Sequence, residues 1–224
     1  YSPVHLDSGQ LNADLDINIP SFKEITAANI KGIGNLQNVT GDATDLDSPV
    51  KAESKLNFSG RNAEVETTRA SLGEITAQID GQVNLDSGYD LDFDIFPFAL
   101  SSLPKNIIQQ LPVTLRGVVE AQVKYQGAIK EPKFTGRINN TRTVIIDKTA
   151  FKEIDAKFKA DLDQVVLENV QIIPLAGGEV TAEGNIDTNL QQALNSKQGI
   201  NINQMPLAFS FQANLPTQKL VSPY

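Results

Sequence analysis

Apolar and polar residues alternate strictly in two stretches near the middle of the chain. The first runs from Tyr89 to Ile95, where aromatic and aliphatic residues alternate with aspartates. The second runs from Val113 to Tyr125, where apolar residues and one glycine alternate with mostly polar neighbours. A period of two places successive side chains on opposite faces of a β-strand. Each stretch therefore predicts a strand with one apolar face and one polar face.

The same alternation predicts strands along most of the chain. They cover residues 11–19, 25–31, 51–58, 63–70, 75–85, 154–162, 165–173, 180–186 and 207–215. Gly32 and Gly34 are expected to break the second of these strands. Residues 38–49, rich in Asp, Thr and Gly, are expected to form turns around a poor strand.

Other segments predict turns and short helices. Pro104 at a first-turn position and Pro112 beyond the end bracket about two turns of helix. Gly177-Gly178 predicts a turn, and residues 188–195 predict a short helix or a loop insertion. A sheet of this kind has one apolar face to bury. It can pack on a second sheet as a sandwich, close as a barrel, or curl into an open trough.

Three pairs of segments resemble each other and occur in the same order. They are 22–36 with 151–162, 72–86 with 177–187, and 92–104 with 202–216. Repeats that expose an apolar edge bury it by stacking on the next repeat. We therefore predict a first, partial sheet unit over residues 1–100. A second unit, beginning with the short helix, is predicted over 101–187, and the start of a third over 188–224.

Composition excludes several classes of function. The 224 residues carry a net charge of −8, and the pI is about 4.7. Binding to nucleic acid or to anionic lipid surfaces needs a basic patch, so both are disfavoured. No apolar run approaches the roughly 20 residues of a membrane helix. The absence of cysteine excludes disulfides and thiolate metal sites. Without a starting Met or a signal peptide, the chain is expected to be a piece of a longer protein.

Candidate chemical sites are few. Asp90, Asp92 and Asp94 have the spacing that opens a calcium loop, but the glycine and glutamate that complete such a loop are missing. We interpret them as the polar face of a strand, paired with Arg116 or Lys124. His5 is the single histidine, so neither a Ser-His-Asp site nor a histidine-rich metal site is expected. We predict no catalytic residues, no metal and no cofactor.

The order of motifs resembles the repeating body of the TamB family of envelope proteins. The chain shows an apolar strand, a short helix with Leu-Pro, a second strand, and the phrase Gly-x4-Pro-x-Phe-x-Gly at Gly127 to Gly136. An Asp-Leu-Asp phrase follows at Asp161 to Asp163, and a Gly-Gly-x-Val-x-Ala-x-Gly phrase follows at Gly177 to Gly184. The resemblance covers nearly the whole chain, and it rests on the order of the phrases rather than on any one of them.

This resemblance implies a fold class and a function. The fold is an all-β, repeat-built curled sheet, a β-taco or open hydrophobic trough, with one or two short helices. About 14 strands spaced by about 4.8 Å would make a trough about 65 Å long. The implied protein is anchored in the inner membrane through a part outside this chain and lies in the periplasm or intermembrane space. It engages an outer-membrane barrel partner of the Omp85 type, through its barrel or POTRA part.

We therefore expect a non-enzymatic conduit whose apolar groove carries the acyl chains of phospholipid, or supports the assembly of nascent outer-membrane proteins. The scarcity of aromatic residues (6%) and the absence of Trp favour a smooth trough over a packed core. The residues expected to line the groove are Leu91, Phe93, Ile95, Val119, Ala121, Val123, Ile154, Phe158, Val180, Ile186, Phe209 and Phe211.

Two alternatives remain open at this point. The first is an interaction module whose sheet edge pairs with nascent outer-membrane strands by β-augmentation. The second is a plain structural repeat, such as a stalk with a filled core. The helix at Pro104 to Leu111 is expected either to plug the groove or to cover the end of the sheet.

Overall fold

The computed structural model describes residues 4–20, 29–43, 48–128, 131–188 and 205–214. Strands make up 77% of these residues, and helix is almost absent. The fourteen strands belong to one antiparallel sheet that is not closed. The all-β prediction is therefore confirmed, whereas the repeat-built trough stays a prediction.

The chain divides into two compact units. Unit 1 is Tyr1–Phe96 with Lys124–Pro132, and unit 2 is Pro97–Val123 with Lys133–Tyr224. In unit 1, strands that follow each other in sequence are neighbours in the sheet. They are β1 Val4–Asn18, β2 Asn29–Ala43, β3 Ser48–Gly60, β4 Asn62–Leu72, β5 Ile75–Asn84 and β6 Gly88–Ala99, whose last residues belong to unit 2.

Unit 2 contains the remaining strands and the one helix found in the described residues, α1 Lys105–Ile108. The sheet order there is β8, β9, β11, β12, β13, β14, and the short β10 pairs with both β11 and β7. The bounds are β7 Leu115–Arg116, β8 Val118–Gly127, β9 Lys133–Asn140, β10 Val144–Ile146, β11 Thr149–Ala160, β12 Gln164–Pro174, β13 Glu179–Asp187 and β14 Leu207–Asn214. The end of β8 lies in unit 1.

The predicted break at Gly32 and Gly34 is wrong, because β2 runs through both residues. Gly32 has a φ of 128°, and a Cβ there would collide with the carbonyl oxygen of Asp14 on β1. Glycine is needed here because the neighbouring backbone approaches closely, not because the strand ends. The described part of the predicted strand 25–31 begins at Asn29.

The predicted turns over residues 38–49 are also mostly wrong. β2 continues to Ala43 and β3 begins at Ser48, while residues 44–47 lie outside the described residues. The local irregularity is a β-bulge, since the register with β3 shifts between Leu36 and Val39. Asn38 has a φ of 52° at this bulge, a conformation that asparagine tolerates better than most residues.

The strand predicted over 113–125 is split in two by Gly117, whose φ is 135°. A Cβ on Gly117 would lie 2.8 Å from Cγ2 of Val144, so the backbone passes close to that side chain. The predicted two-turn helix has one α-helical turn, and a 3-10 turn at Leu100–Ser102 comes before it. After α1 the bonds become i to i+3, with the Gln110 N–H donating to the Ile107 carbonyl.

The turn at Gly177-Gly178 is confirmed, with φ values of 96° and 90°. Of the predicted insertion at 188–195, only Thr188 is described. The matched segments 72–86 and 177–187 contain β5 and β13. The matched segments 92–104 and 202–216 cover the second half of the adjacent strand β6 and the whole of the adjacent strand β14. The first matched pair falls on β2 and β11, which lie three and two strands before β5 and β13 respectively. Neighbouring strands of an antiparallel sheet run in opposite directions. The matched pairs β5 with β13 and β6 with β14 therefore have the same relative direction in both copies, whereas β2 and β11 do not have the same direction relative to β5 and β13.

Candidate apolar binding surface

In unit 1 the strand register collects one apolar face. Residues directly opposite each other share a face of the sheet, so Ile79 lies beside Thr68 of β4 and Phe93 of β6. Following these partners strand by strand gives a face without a charged residue. Its large aliphatic side chains and phenylalanines are Leu6, Leu11, Leu15, Ile17, Ile30, Leu36, Val39, Val50, Leu56, Phe58, Val65, Leu72, Ile75, Ile79, Val83, Leu91, Phe93 and Ile95.

Following the paired residues of unit 2 from strand to strand gives a second apolar face. From β9 to β14 the paired positions on this face hold only apolar residues and glycine. Phe158 lies opposite Leu167 of β12 and Gly136 of β9. The face comprises Phe134, Gly136, Ile138, Ile154, Ala156, Phe158, Ala160, Val165, Leu167, Val170, Ile172, Val180, Ala182, Gly184, Ile186, Leu207, Phe209, Phe211 and Ala213.

The residues of β8 join this face. The side chain of Asn139 on β9 donates a hydrogen bond of 2.9 Å to the carboxylate of Glu120, so Glu120 lies on the polar side of the sheet. Its neighbours Val119 and Ala121 point the other way and are buried.

Neither face is covered like the core of a globular domain. Among the described residues only five hydrophobic side chains are buried, namely Val65, Val119, Ala121, Val144 and Val170. Other members of the faces reach solvent: Leu11 is 61% exposed and Phe211 is 74% exposed. Large contiguous apolar areas that remain exposed are typical of surfaces that bind a partner, a membrane or a ligand.

Glycines let aromatic rings lie flat against the sheet. A Cβ on Gly136 would be 2.7 Å from the ring of Phe158 and 2.7 Å from the carbonyl oxygen of Gln122. Gly184 is covered in the same way by Phe209, its direct partner on β14. Each ring fills the space of the missing side chain, so the face is smoother than its sequence alone implies.

The twelve predicted lining residues all lie on these two faces. Leu91, Phe93 and Ile95 lie on the face of unit 1, where they are partly exposed. The other nine lie on the face of unit 2. Sequence reasoning missed Leu56, Phe58, Phe134 and Leu167, although each belongs to a predicted strand or motif. The alternation marks both faces of each strand, but only the register shows which faces of different strands coincide.

Two tyrosines stack at one end of the apolar face of unit 1. The ring centroids of Tyr89 on β6 and Tyr125 on β8 are 5.1 Å apart, with 23° between the ring planes. Burial raises the pKa of the Tyr125 phenol, and the nearby Tyr89 raises it further. The Tyr125 hydroxyl therefore stays protonated at neutral pH. A tyrosine pair places polar groups where an apolar surface meets water.

The polar face of unit 1 carries the three aspartates that resemble a calcium loop. The Lys124 ammonium lies 2.8 Å from the Asp90 carboxylate and 3.2 Å from that of Asp92. This confirms the predicted pairing with Lys124. The hydrogen bond from Lys124 lowers the pKa of Asp90 although partial desolvation opposes the shift, and the same two carboxylates raise the pKa of Lys124. The ammonium group of Lys124 therefore lies against the carboxylates to which a calcium ion would have to bind.

Further acid–base pairs join neighbouring strands on the polar faces. Lys55 pairs with Glu66 between β3 and β4, Lys159 with Glu168 between β11 and β12, and Arg137 with Asp155 between β9 and β11. In the last pair the Arg137 Nε–H donates at 2.8 Å, and this hydrogen bond raises the pKa of Arg137. Within each unit the charge pairs therefore lie on the side of the sheet opposite the apolar face.

The described parts of the chain hold no helix of sufficient length and apolarity to cross a membrane. Nor do any three of their His, Asp or Glu residues come together in a way that could hold a metal ion. No protein-family model, curated protein or solved structure matches the chain.

Proposed function

We propose that the chain is a non-enzymatic segment of a TamB-like envelope protein and that its apolar sheet faces carry phospholipid acyl chains between membranes. One observation carries this proposal. In each unit a charge-free and mainly apolar face spans five or more strands, and most of its side chains are only partly covered. In unit 1 two polar residues, Ser54 and Thr68, lie within this face and are hydrogen-bonded to each other.

The dimensions of a face suit an acyl chain. From Ile75 to Val83 the apolar row of β5 covers eight steps along the strand, which is about 26 Å at about 3.3 Å per residue. One leaflet of a bilayer is about 15 Å thick, half of the hydrocarbon core. The apolar row is longer than one leaflet, so an acyl chain lying along a strand would contact apolar side chains over its full length.

The mechanism needs no chemistry. Each buried CH2 group contributes about 0.8 kcal/mol on leaving water, so an acyl chain is held by its length rather than by a specific contact. The charged pairs lie on the opposite side of the sheet, for instance Lys124 with Asp90, and do not obstruct the chain. The headgroup stays in water at the ends of the strands, where tyrosines such as Tyr89 meet solvent.

The resemblance to TamB supplies the cellular setting of the proposal. The protein is anchored in the inner membrane outside this chain, lies in the periplasm or intermembrane space, and engages an Omp85-type barrel partner. The same surface would hold apolar segments of nascent outer-membrane proteins.

Site-specific photocrosslinking tests the proposal. A photoreactive residue replaces Phe158 in one variant and Lys157 in another, because these neighbours lie on opposite faces of β11. The same comparison is made with Phe93 and Asp92 on β6. Each purified variant is incubated with vesicles of phosphatidylethanolamine and phosphatidylglycerol, irradiated and analysed by mass spectrometry.

We expect phospholipid adducts at Phe158 and Phe93 and none at Lys157 or Asp92. Equal labelling of both faces would show non-specific adsorption and would refute the proposal. Adducts at neither face, with all variants folded by circular dichroism, would favour a structural stalk whose apolar faces are covered by protein.

A further inference from the structure

One end of the apolar face of unit 1 carries polar and charged groups. We call it the tyrosine end, because the rings of Tyr89 and Tyr125 stack there. The turn after β3 carries Arg61, and the turn after β5 carries Asp86. Both turns lie at this end, since the end of β5 pairs with the start of β4 and with the start of β6. Phenols and an ion pair therefore lie where the apolar face gives way to water.

Arg61 and Asp86 form an exposed, bidentate ion pair. The Arg61 Nε–H donates at 2.5 Å to one carboxylate oxygen of Asp86, and an Nη2–H donates at 2.6 Å to the other. This hydrogen bonding raises the pKa of Arg61 and lowers the pKa of Asp86, so both groups are charged at neutral pH. Their side chains are 32% and 62% exposed. A ligand in water can therefore reach both charges, and an exposed pair of this kind gains little from staying closed.

The opposite end of the same face, which we call the leucine end, is apolar up to its turn. Leu72 of β4 and Ile75 of β5 lie directly opposite each other and flank the turn Gly73-Glu74. The charged residue of this turn is an acid, which disfavours a phosphate. A lipid that lies along the strands therefore meets different chemistry in its two possible directions.

We propose that the tyrosine end binds the headgroup of a zwitterionic phospholipid, with the phosphate against the Arg61 guanidinium and the ammonium group against the Asp86 carboxylate. This inference rests on the proposed function, because it assigns a direction and a headgroup class to the lipid on that face. Arginine suits a phosphate because its planar fork of donors matches two phosphate oxygens. The tyrosines lie at the level of the ester groups, and the acyl chains run toward the leucine end.

The length of an acyl chain keeps its two ends apart on this face. A chain in one leaflet spans about 15 Å, which is four to five residues along a strand at about 3.3 Å each. Val83 lies directly opposite Tyr89, and four residues from Val83 along β5 is Ile79. The headgroup and the terminal methyl group therefore contact different residues, and their positions can be measured separately.

Two photoreactive phospholipids measure the direction. Both are phosphatidylethanolamines with the same diazirine group. One carries it on the amine through an alkyl link that keeps the ammonium charge, and the other carries it at the end of an acyl chain. Each is incorporated at a low level into phosphatidylglycerol vesicles, incubated with the purified chain and irradiated. Peptide fragmentation then locates the labelled residues. The ratio of the two probes at each site reports direction rather than reactivity, because the reactive group is the same.

We expect the headgroup probe to label residues 60–62 and 85–89, and the acyl-end probe to label residues 75–79. The reverse distribution, or equal ratios at both ends, would overturn this inference while the lipid proposal stands. Labelling of the apolar face of unit 1 by neither probe would instead reject the lipid proposal for this unit, and this inference with it.

Neutralising the ion pair tests the headgroup class. The variant Arg61→Gln with Asp86→Asn keeps the net charge and should lower the preference for phosphatidylethanolamine over diacylglycerol about threefold to fivefold, the effect of an exposed charge pair. The preference is measured by competition with the acyl-end probe, and circular dichroism checks the fold. The matched control, Lys55→Gln with Glu66→Gln, removes an ion pair from the polar face of the same unit and should change nothing. An unchanged preference in the first variant, or an equal change in the control, would overturn the headgroup assignment.

Discussion

A charge placed on the apolar face of unit 2 should have effects that depend on how well each position is covered. Val170 and Phe211 both lie on this face, on β12 and β14 respectively. Val170 is 9% exposed and Phe211 is 74% exposed. We compare Val170→Asp with Phe211→Asp, because the introduced group is the same and only its surroundings differ.

Val170→Asp should be severely destabilising. Nine tenths of the valine surface is covered, so the loss of burial costs about 1.5 kcal/mol. The carboxylate would lie among Ala156 and Ala182 without a basic partner, which costs several kcal/mol more. The sum of about 5 kcal/mol is comparable to the whole stability of many domains, about 5–15 kcal/mol.

Phe211→Asp should be tolerated. About a quarter of the phenylalanine surface is covered, and full burial contributes about 3 kcal/mol, so the loss is about 0.7 kcal/mol. The new carboxylate stays in water and carries little desolvation cost. For a chain of this size each kcal/mol lowers the melting temperature by about 2–4 °C. We therefore expect a decrease of roughly 2 °C for Phe211→Asp and of more than 10 °C for Val170→Asp.

Thermal and urea unfolding followed by circular dichroism provide the measurement, with Phe211→Ala as the control for lost surface without charge. A folded Phe211→Asp protein with reduced phospholipid adducts at a photoreactive Phe158 would support an open lipid-binding face. If Phe211→Asp unfolds the chain as severely as Val170→Asp, the face is covered by packed protein and the reasoning is refuted.

Three further predictions follow from the site. Calcium or a chelator should leave the melting temperature unchanged, because Lys124 already forms ion pairs with Asp90 and Asp92; a reproducible increase with calcium would contradict this. The lowered pKa of Asp90 contributes stability that is present above its unfolded pKa of about 3.9 and is lost as the pH falls through the lower folded value. Lys124→Met should therefore flatten the fall in urea-unfolding stability below about pH 4, and an unchanged acid profile would show that the pair contributes nothing. Gly136→Ala should destabilise the chain by about 1–3 kcal/mol, since the new methyl group would crowd the carbonyl oxygen of Gln122 and the ring of Phe158. Phe158→Ala should recover only part of that loss in a double-mutant cycle, because the backbone contact remains.

Local pattern was sufficient for most strands. Residues 75–85 alternate so regularly that the predicted strand agrees with β5 to within one residue, whereas β11 begins at Thr149, five residues before the predicted start at Ile154. Local signals failed where tertiary pairing overrode them. Gly32 reads as a strand breaker, yet the closeness of the Asp14 carbonyl requires glycine inside the ladder. Residues 38–43 have turn-like composition, and pairing with β3 holds them extended around a bulge.

The candidate site shows the same division. Alternation identified apolar rows such as Phe93 with its neighbours, because a strand presents successive side chains to opposite sides whatever it pairs with. It could not show that Phe58 and Phe93 share one face, nor that Phe158 covers Gly136. Those relations depend on register, and a shift by one residue would turn a whole strand over.

A period of two in hydrophobicity is a local property, so the all-β class and the apolar and polar sides of each strand follow from the order of residues alone. Which residues meet across strands, and the position of Lys124 within reach of both Asp90 and Asp92, depend on the folded chain. Hydrogen-bonded ladders join residues far apart in sequence, so these outcomes depend on closing long loops in one register rather than on local preference.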